Sequence, residues 1–514
     1  MAKRISKVLD QFGRPCVVEQ PHLDSKYDAA QTSIENSRHW SMTDAMSSRA
    51  ANSPDVRRRL RNRSRYERDN DPIYGGMIRT VVSDIWGTGA RLQAQSDDDA
   101  FNTLIERRFG EWVDVVALLE NLLVAGEAKI CDGEPFILLE TEELHDSPVP
   151  LSLRVIEAEQ CQTPPLAIPK DFSRWVDGID LDDRSRPFAY HILREHPGDT
   201  YVTGIDFAKV PAHNVIHPFR KFRAGQFRGV PECTASLPVG AQRRRWSLAT
   251  LTAAELAADF AVLISSDLAP GFEDADLPAE WQTMNINRGM ITTLPAGGKA
   301  NQMKAEHPGT EFTPFKHELL KEIGRPIGAP YSITAMDGSE HNYSSLRYER
   351  EIYIAALKVE RELYRLKVLD RIFRAWYALA RMIPGFLGRA FGDTPDVAAM
   401  RFGWYFPGFT AIDPVKDAVA DTERLSNCTT TLQELLAEYG QDWKVVLNQR
   451  AREANELKRL GLPLPKWLDP SAGNFGGQDL ENPITDGIDD AQPPAPEDST
   501  AKRIALAEIT REAS

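Results

Sequence analysis

Asp180, Asp182 and Asp183 lie within four positions and come nearest in this chain to a hydrolytic metal centre. Carboxylates so spaced can hold Mg²⁺ for a nuclease, and they serve equally as a solvated turn before Arg184. His191 and His196 are five apart. On a strand that spacing puts them on opposite faces, and on a helix it takes them off a common ligand face, so they read as surface or core histidines. The segment from Pro295 to Ala300 carries Lys299 but lacks the upstream Gly and the following Ser or Thr of a phosphate loop, and reads as a plain turn. Gly87 and Gly89 are followed by Ala90, Arg91 and Leu92 with no third Gly, so the dinucleotide fingerprint also fails. Neither His-Glu-x-x-His nor Gly-x-Ser-x-Gly occurs. The pattern points away from an enzyme: no catalytic residue, no cofactor site and no metal site is assigned.

The basic residues are the stronger electrostatic signal. Arg57, Arg58, Arg59, Arg61, Arg63, Arg65 and Arg68 crowd into a dozen positions. Guanidinium groups suit phosphates and carboxylates alike, so the cluster could meet DNA or acidic residues of a neighbouring subunit. We take Arg57, Arg58, Arg59, Arg61 and Arg65 as candidates for the neighbour. Arg243, Arg244 and Arg245 pose the same choice, with a simpler alternative as the wet face of an amphipathic helix. The formal net charge of −14 argues against a protein that coats nucleic acid with a uniformly basic surface.

From Ser339 to Ile383 about 45 residues pass without Gly or Pro. Ala356, Val359, Leu363, Leu366, Leu369, Phe373, Trp376, Leu379 and Ile383 recur in steps of three and four, predicting one apolar stripe on a helix. The other side is charged, with Glu362 near Arg365 and Asp370 near Arg374, and Asn342 or Ser344 is placed to cap the start. Such a helix would span roughly 60 Å at about 1.5 Å per residue. Shorter signals surround it. Helical runs are expected over Ile73 to Trp86, Ala100 to Leu123, Glu232 to about Asp267, Phe315 to Ile323, and Asp413 to about Leu460; strands are expected at Pro135 to Glu140, Leu151 to Ile156, Phe188 to Leu193, Asn214 to Phe219 and Met400 to Phe406. Gly324 to His341 reads as a loop leading into the long helix.

The length of 514 residues suggests about three or four compact units. Five scattered cysteines, Cys16, Cys131, Cys161, Cys233 and Cys428, do not form a disulfide framework, which fits a reducing compartment. The N-terminus lacks the apolar stretch of a secretory signal. The most lipid-like run, Leu248 to Ile264, is interrupted by Glu255 and Asp259 and implies no membrane span.

Several of these pieces, taken in order, resemble the lambda-type portal proteins of tailed bacteriophages. The matching stretches are Arg65-Tyr66-Glu67-Arg68-Asp69-Asn70, Trp86-Gly87-Thr88-Gly89-Ala90-Arg91-Leu92-Gln93, and Gly178-Ile179-Asp180 leading to Ala189-Tyr190-His191-Ile192. Further on come Gln226-Phe227-Arg228-Gly229-Val230-Pro231, Ile327-Gly328-Ala329-Pro330-Tyr331, Asn342-Tyr343-Ser344-Ser345-Leu346-Arg347 and Ile412-Asp413-Pro414-Val415-Lys416. The resemblance covers about residues 50 to 460, and departs at both terminal arms and around 270 to 300.

It implies an α+β portal-type fold with long stem and wing helices, β-rich wing and clip segments and a helical crown. The expected parts are a flexible N-terminal arm at 1–50, a first wing part at 51–231, a stem helix at 232–266 and a clip at 267–312. A second stem helix with the channel loop follows at 313–341, then a long wing helix and return strand at 342–412, a crown at 413–462, and a disordered acidic tail at 463–514. The resemblance also implies a homo-oligomer of about twelve subunits at the unique capsid vertex, through which double-stranded DNA is packaged and ejected. Partners would be the terminase large subunit, the major capsid protein and head-completion or tail connector proteins, in the virion and, during assembly, the host cytoplasm; no membrane is involved. Met336, Asp337, Ser339, Glu340 and His341 become the DNA-proximal candidates, since a mixed or acidic lining avoids gripping phosphates. The alternatives are a metal-dependent nucleic-acid enzyme or a capsid adaptor or scaffold that never contacts DNA.

Overall fold

The computed structural model describes residues 43–165, 174–200, 206–259, 312–339, 341–409 and 413–462, together with four isolated strands. Two of these open the chain, β1 (Lys7–Leu9) and β2 (Pro15–Val17), paired antiparallel. Apart from that pair, the expected N-terminal arm up to residue 42 lies outside the described residues, as does the expected tail from 463. Two compact units are present, Met1–Asp442 and Trp443–Ser514.

In the first unit a short turn, α1 (Ser48–Ala51), precedes α2 (Pro54–Asn70) and α3 (Pro72–Trp86). Asp71 separates the last two, and its carboxylate caps α3 by accepting from Ile73 N. Strand β3 (Arg91–Ala94) leads to α4 (Asp99–Val115) and α5 (Leu118–Cys131). The sequence predicts a single helix here. It is broken at Ala117, whose left-handed backbone (φ 47°) turns the chain between the two.

A β-rich region follows: β4 (Phe136–Glu140), β5 (Ser152–Ile156), β6 (Trp175–Val176), β7 (Ile179–Leu181), β8 (Pro187–Leu193), β9 (Phe207–Pro211) and β10 (Val215–Ile216). One sheet has the order β10-β4-β5 and the other the antiparallel order β6-β7-β8-β9. Strand β4 is central and separates two cores. Phe136 and Leu138 join Ile156, Ile179, Tyr190, Ile192 and Val215 between the sheets, while Ile137 and Leu139 point to the helices, as the two-residue period of a strand requires.

Helix α6 (Leu237–Asp259) comes next, shorter at both ends than expected, followed by strands β11 (Leu263–Ser266) and β12 (Gly298–Asn301), which pair antiparallel. The remaining residues of 267–311, expected to form the clip, lie outside the described set. Helix α7 (Phe312–Gly324) packs on α6 around Trp246, whose ring stacks on Phe312 at 4.7 Å and meets Phe315 edge-on at 5.0 Å. A short helix α8 (Tyr331–Thr334) interrupts the expected loop.

The long helix is continuous but not uniform. It runs as α9 (Tyr343–Tyr364), a π-helical turn over Arg365–Leu369, and α10 (Asp370–Ala380), and Asn342 caps it by accepting from Ser345 N at 2.8 Å. Its buried face keeps Leu369, Phe373 and Trp376 of the predicted stripe but departs from it on the N-terminal side of them. Val359 and Leu366 are 60% and 51% exposed, while Tyr353, Leu357, Arg361, Tyr364, Val368, Ile372, Trp376 and Ala380 are buried. Steps of four residues drift about 40° each on an ideal α-helix, and the extra residue of the π turn takes back most of that drift. The sequence reading also missed the face because a charged residue sits in it. Arg361 donates to Asp84 O (2.9 Å), Ile85 O (2.8 Å) and Pro407 O (2.9 Å), and its guanidinium lies 4.3 Å from the Phe409 ring centroid. It thus closes the carbonyl end of α3.

Strand β13 (Phe402–Tyr405) returns to pair with β3, and α11 (Pro414–Ser426) and α12 (Leu432–Glu438) end the first unit. The polar section expected as one helical stretch is thus divided, with α13 (Trp443–Leu460) in the second unit. The result is a mixed helix and sheet architecture.

Arg361→Met leaves three carbonyls without their charged donor, so unfolding free energy should fall by roughly 3 kcal/mol or more. Urea denaturation followed by tryptophan fluorescence measures it; an unchanged midpoint would show that water replaces the guanidinium at no cost.

Candidate functional site

The glycine pair Gly133 and Gly229 brings two chain segments closer than any side chain permits. A Cβ on Gly229 would lie 2.1 Å from Gly133 O, and one on Gly133 only 2.3 Å from Val230 C. That approach lets the Glu134 carboxylate accept from Gly229 N at 2.6 Å. Around it converge Arg57 (Nη1–Oε1 3.1 Å), Arg228 (Nη2–Oε1 2.7 Å) and His217 (Nε2–Oε2 3.0 Å), all buried. Arg57 and Arg228 also share Asp177. Arg228 further donates to Cys161 O at 2.9 Å and Ala158 O at 3.2 Å, joining α2, β4, the sheet region and the segment before α6. Burial alone would raise the Glu134 carboxyl, but Arg228, the His217 hydrogen bond and Arg57 hold it well below the ordinary carboxylate value. Burial keeps His217 neutral by lowering its pKa against the pull of Glu134, and its ring stacks 4.2 Å from Phe136.

Two further clusters lie on the path from α2 to α9. Arg243 binds both oxygens of Asp71 at 2.5 Å, and Arg244 binds Glu67 at 2.9 and 2.6 Å, fastening α6 to the junction of α2 and α3. Lys129 on α5 contacts Glu232 and Glu360, each at 2.8 Å, beneath the Tyr364 ring at 5.3 Å. Arg220 reaches the same two carboxylates at 3.2 and 3.4 Å. Although burial opposes it, Tyr364, Glu232 and Glu360 raise the Lys129 pKa, so the ammonium stays charged. Farther along, Lys367 donates to Phe219 O, and Arg371 to Val215 O and Ala212 O. These side chains bind backbone carbonyls of residues 212–219.

The residues singled out from sequence divide accordingly. Arg57, Arg61 and Arg65 were expected to face acids of a neighbour; the structure corrects this, because their acids are in the same chain. Arg61 meets Glu159 at 3.1 Å, and Arg65 meets Asp132 at 2.7 Å, Glu157 at 3.0 Å and Glu159 at 3.1 Å. Spacings of four put these three guanidiniums on one face of α2. Arg58 and Arg59 are exposed, Arg58 with a local partner in Asp55. Arg243 and Arg244 are likewise held inside, and Arg245 is exposed.

Asp180, Asp182 and Asp183 do not converge. Asp180 lies 3.0 Å from His191 and 2.7 Å from Lys209, Asp182 holds the turn at Arg184 N and Arg186 N, and Asp183 pairs with Arg174. Among the described residues one set, Glu157, Glu159 and His196, brings ligand atoms within 4.8 Å of one another. Arg61 and Arg65 already neutralise its carboxylates, which disfavours a cation there.

In the loop before α9, the base is fixed and the tip is open. A Cβ on Gly324 would lie 2.2 Å from Thr334 Oγ1 and 2.3 Å from Ala329 O, so α8 folds back tightly on the end of α7. Met336 has φ 51° and is 79% exposed. Asp337 accepts from Ser339 N at 2.9 Å, and His341 lies 3.7 Å from Glu349. Glu340 lies outside the described residues.

The buried charges of this arrangement join elements of the chain to one another. Its sequence matches the family described as "Phage portal protein, lambda family" over residues 35–357, more than half of its length. The chain belongs to this lambda family of phage portal proteins. It is similar to the "Probable portal protein" of Halomonas phage phiHAP-1, 26% identical over 328 residues that make up 61% of each chain. It also matches portal protein B of Escherichia phage lambda, 21% identical over 181 residues, 34% of each chain. The match thus spans about three fifths of the first relative and one third of the second. Among solved structures it is similar to a chain of "Virion of native gene transfer agent (GTA) particle", with TM-score 0.41, 15% identity and coverage of 80% of this chain and 95% of that one.

The buried clusters set the acid response. The stability that neutral His217 provides is complete above the unfolded imidazole value, about 6.5, and declines as pH falls below it, because the unfolded state takes up the proton first. The contribution of Glu134 is present above the ordinary carboxylate value and is lost as pH falls toward its depressed folded value. Urea midpoints should therefore drop between pH 7 and 5 and again below about pH 4.5, with His217→Gln flattening the first step. Lys129→Met, which leaves Glu232 and Glu360 without their shared ammonium, should cost about 3–5 kcal/mol. A loss below about 1 kcal/mol would show Arg220 sufficient alone.

Proposed function

We propose that this chain is the subunit of a portal ring at the unique capsid vertex, through which double-stranded DNA is packaged and ejected. The observation that carries the reading is family membership over residues 35–357. The ring serves as docking site for the terminase large subunit and for head-completion and tail connector proteins, and sits within the shell of the major capsid protein. Residues 51–231 and 342–412 form the wing, 232–266 and 313–327 the stem, 267–312 the clip, 328–341 the channel loop and 413–462 the crown. The subunit is non-catalytic, works in the virion and assembles in the host cytoplasm with about eleven other copies.

Electrostatics support this division of labour. A channel residue that paired firmly with phosphate would hold the duplex at every step, since each contact releases counterions and must be broken again. The exposed tip at Met336, Asp337 and Ser339 offers no cation, and Arg57, Arg61, Arg65, Arg228, Arg243 and Arg244 are turned inward onto carboxylates. Arg58 and Arg59 remain on the surface as candidates for a neighbouring subunit. The nuclease alternative loses its best support with the dispersal of Asp180, Asp182 and Asp183 onto three different cations.

Purified protein should form rings with an axial hole, seen by native mass spectrometry and class-averaged electron micrographs. Single chains under every assembly condition, together with hydrolysis of ATP or DNA, would overturn the proposal. Asp337→Arg with Ser339→Arg should leave assembly intact and slow packaging severalfold in a reconstituted assay. An unchanged rate would remove the loop tip from the DNA path.

A further inference from the structure

The long helix exposes a second apolar pattern beside its buried one. Tyr348 is 68% exposed, Ile352 52%, Val359 60% and Leu366 51%. With exposed Ala355 and Glu362 they follow steps of four, three, four, three and four, the seam of a helix that packs along another helix. Among the described residues of the first unit, nothing covers this seam. Glu362, its one charged member, is held at the side by Arg365 at 2.6 Å.

A second uncovered helical face occurs elsewhere on the same chain. Leu248 and Leu251 on α6 are 65% and 57% exposed, on the side of that helix away from Trp246 and the packed α7. Leu248 and Leu251 lie three apart, the spacing that lets both enter one helix contact. Arg245, one turn before Leu248, is exposed and has no ion-pair partner among the described residues, and it complements the acidic Glu362 of the first seam. Single exposed apolar residues are ordinary, whereas aligned rows of them suit contact with another surface. Facing each other, the two rows would make the apolar centre of an interface whose polar rim supplies the rest of the about 800 Å² per partner of a stable contact.

We infer that the α9 seam of one copy is covered by the Leu248–Leu251 face of α6 of the next copy. This rests on the ring reading and names the surfaces that close the ring. Two unlike apolar faces on one chain suit a heterologous contact, which propagates around an axis, whereas an isologous pair would cover one face twice and stop at a dimer.

The test compares the wild-type full chain with the double variant Ile352→Asp, Val359→Asp, and with Val124→Asp as a control at an equally exposed apolar position on α5. All three should share one circular-dichroism spectrum and melting temperature, because the substituted side chains lie on the surface. By native mass spectrometry, wild type and control should form rings, and the double variant should lose them by about tenfold or more at equal concentration. Rings from the double variant at wild-type yield would overturn the inference and leave the ring reading standing; a wild type that never assembles would defeat the ring reading itself. In a Cys16→Ser, Cys428→Ser background, Ile352→Cys combined with Leu251→Cys should oxidise to a ladder of covalent multimers, and Ile352→Cys alone should stay monomeric. A dimer from the single variant would show seam-to-seam pairing. Absence of the ladder, in a protein whose assembly still depends on the seam, would assign the seam to another partner. Either result overturns the proposed contact.

Discussion

A carboxylate removed from water must find its charge and hydrogen bonds inside the protein, and at Glu134 that requirement dictates the surroundings. Its buried oxygens are met by two arginines, a histidine and a backbone N–H from three different parts of the chain. Removal of any one donor would leave a buried charge short of partners, which costs far more than the intact cluster gains over an apolar substitute. The cluster therefore acts less as a source of stability than as a specification of geometry. Gly133 and Gly229 are needed for the approach, and β4 must run centrally between the two cores for the carboxylate to arrive there.

The same logic recurs at each junction along the chain. Asp71 caps α3 and holds Arg243, so the start of one helix and the flank of α6 are fixed by a single carboxylate. Lys129 joins α5 to the segment before α6 and to the long helix. Apolar surfaces can slide with little change in area, whereas charge-assisted hydrogen bonds lose most of their strength with misalignment. In the proposed ring, joints of this kind would keep the parts in register while DNA passes. They also have an electrostatic result: arginines that would hold phosphates are turned toward carboxylates of their own chain.

How much of this was legible in sequence depended on whether the signal was local. Helix α3, strands β4, β5 and β8, and the Asn342 cap could be read because period and capping residues act over a few positions. The acidic partners of Arg57, Arg61 and Arg65 could not, since Glu134, Glu159 and Asp132 lie far along the chain and spacing says nothing about what a helix face meets. The four-residue steps from Arg57 to Arg65 did mark them as one face, and that was the available clue. On the long helix, a buried Arg361 and the π turn defeated a periodicity that assumes apolar residues inside and a constant pitch. Val359 and Leu366 were then assigned to the core because no rule of composition separates a core stripe from an interface stripe.

The loop between α7 and α9 shows how one segment can be both held and presented. Gly324 admits Thr334 and Ala329 at distances that exclude a Cβ, so the base is set by backbone packing rather than by adaptable side chains. Tyr331 is buried against the His317 ring at 5.0 Å, which fixes the start of α8. Beyond it, Met336 occupies the left-handed region and stands almost fully in solvent, and the turn is closed by the Asp337 carboxylate and by His341 N donating to Gly338 O. A rigid base with a tip restrained by a few local hydrogen bonds can shift its tip without disturbing α7 or α9. In the proposed ring, that permits adjustment to a moving duplex while the helices on either side keep their interfaces.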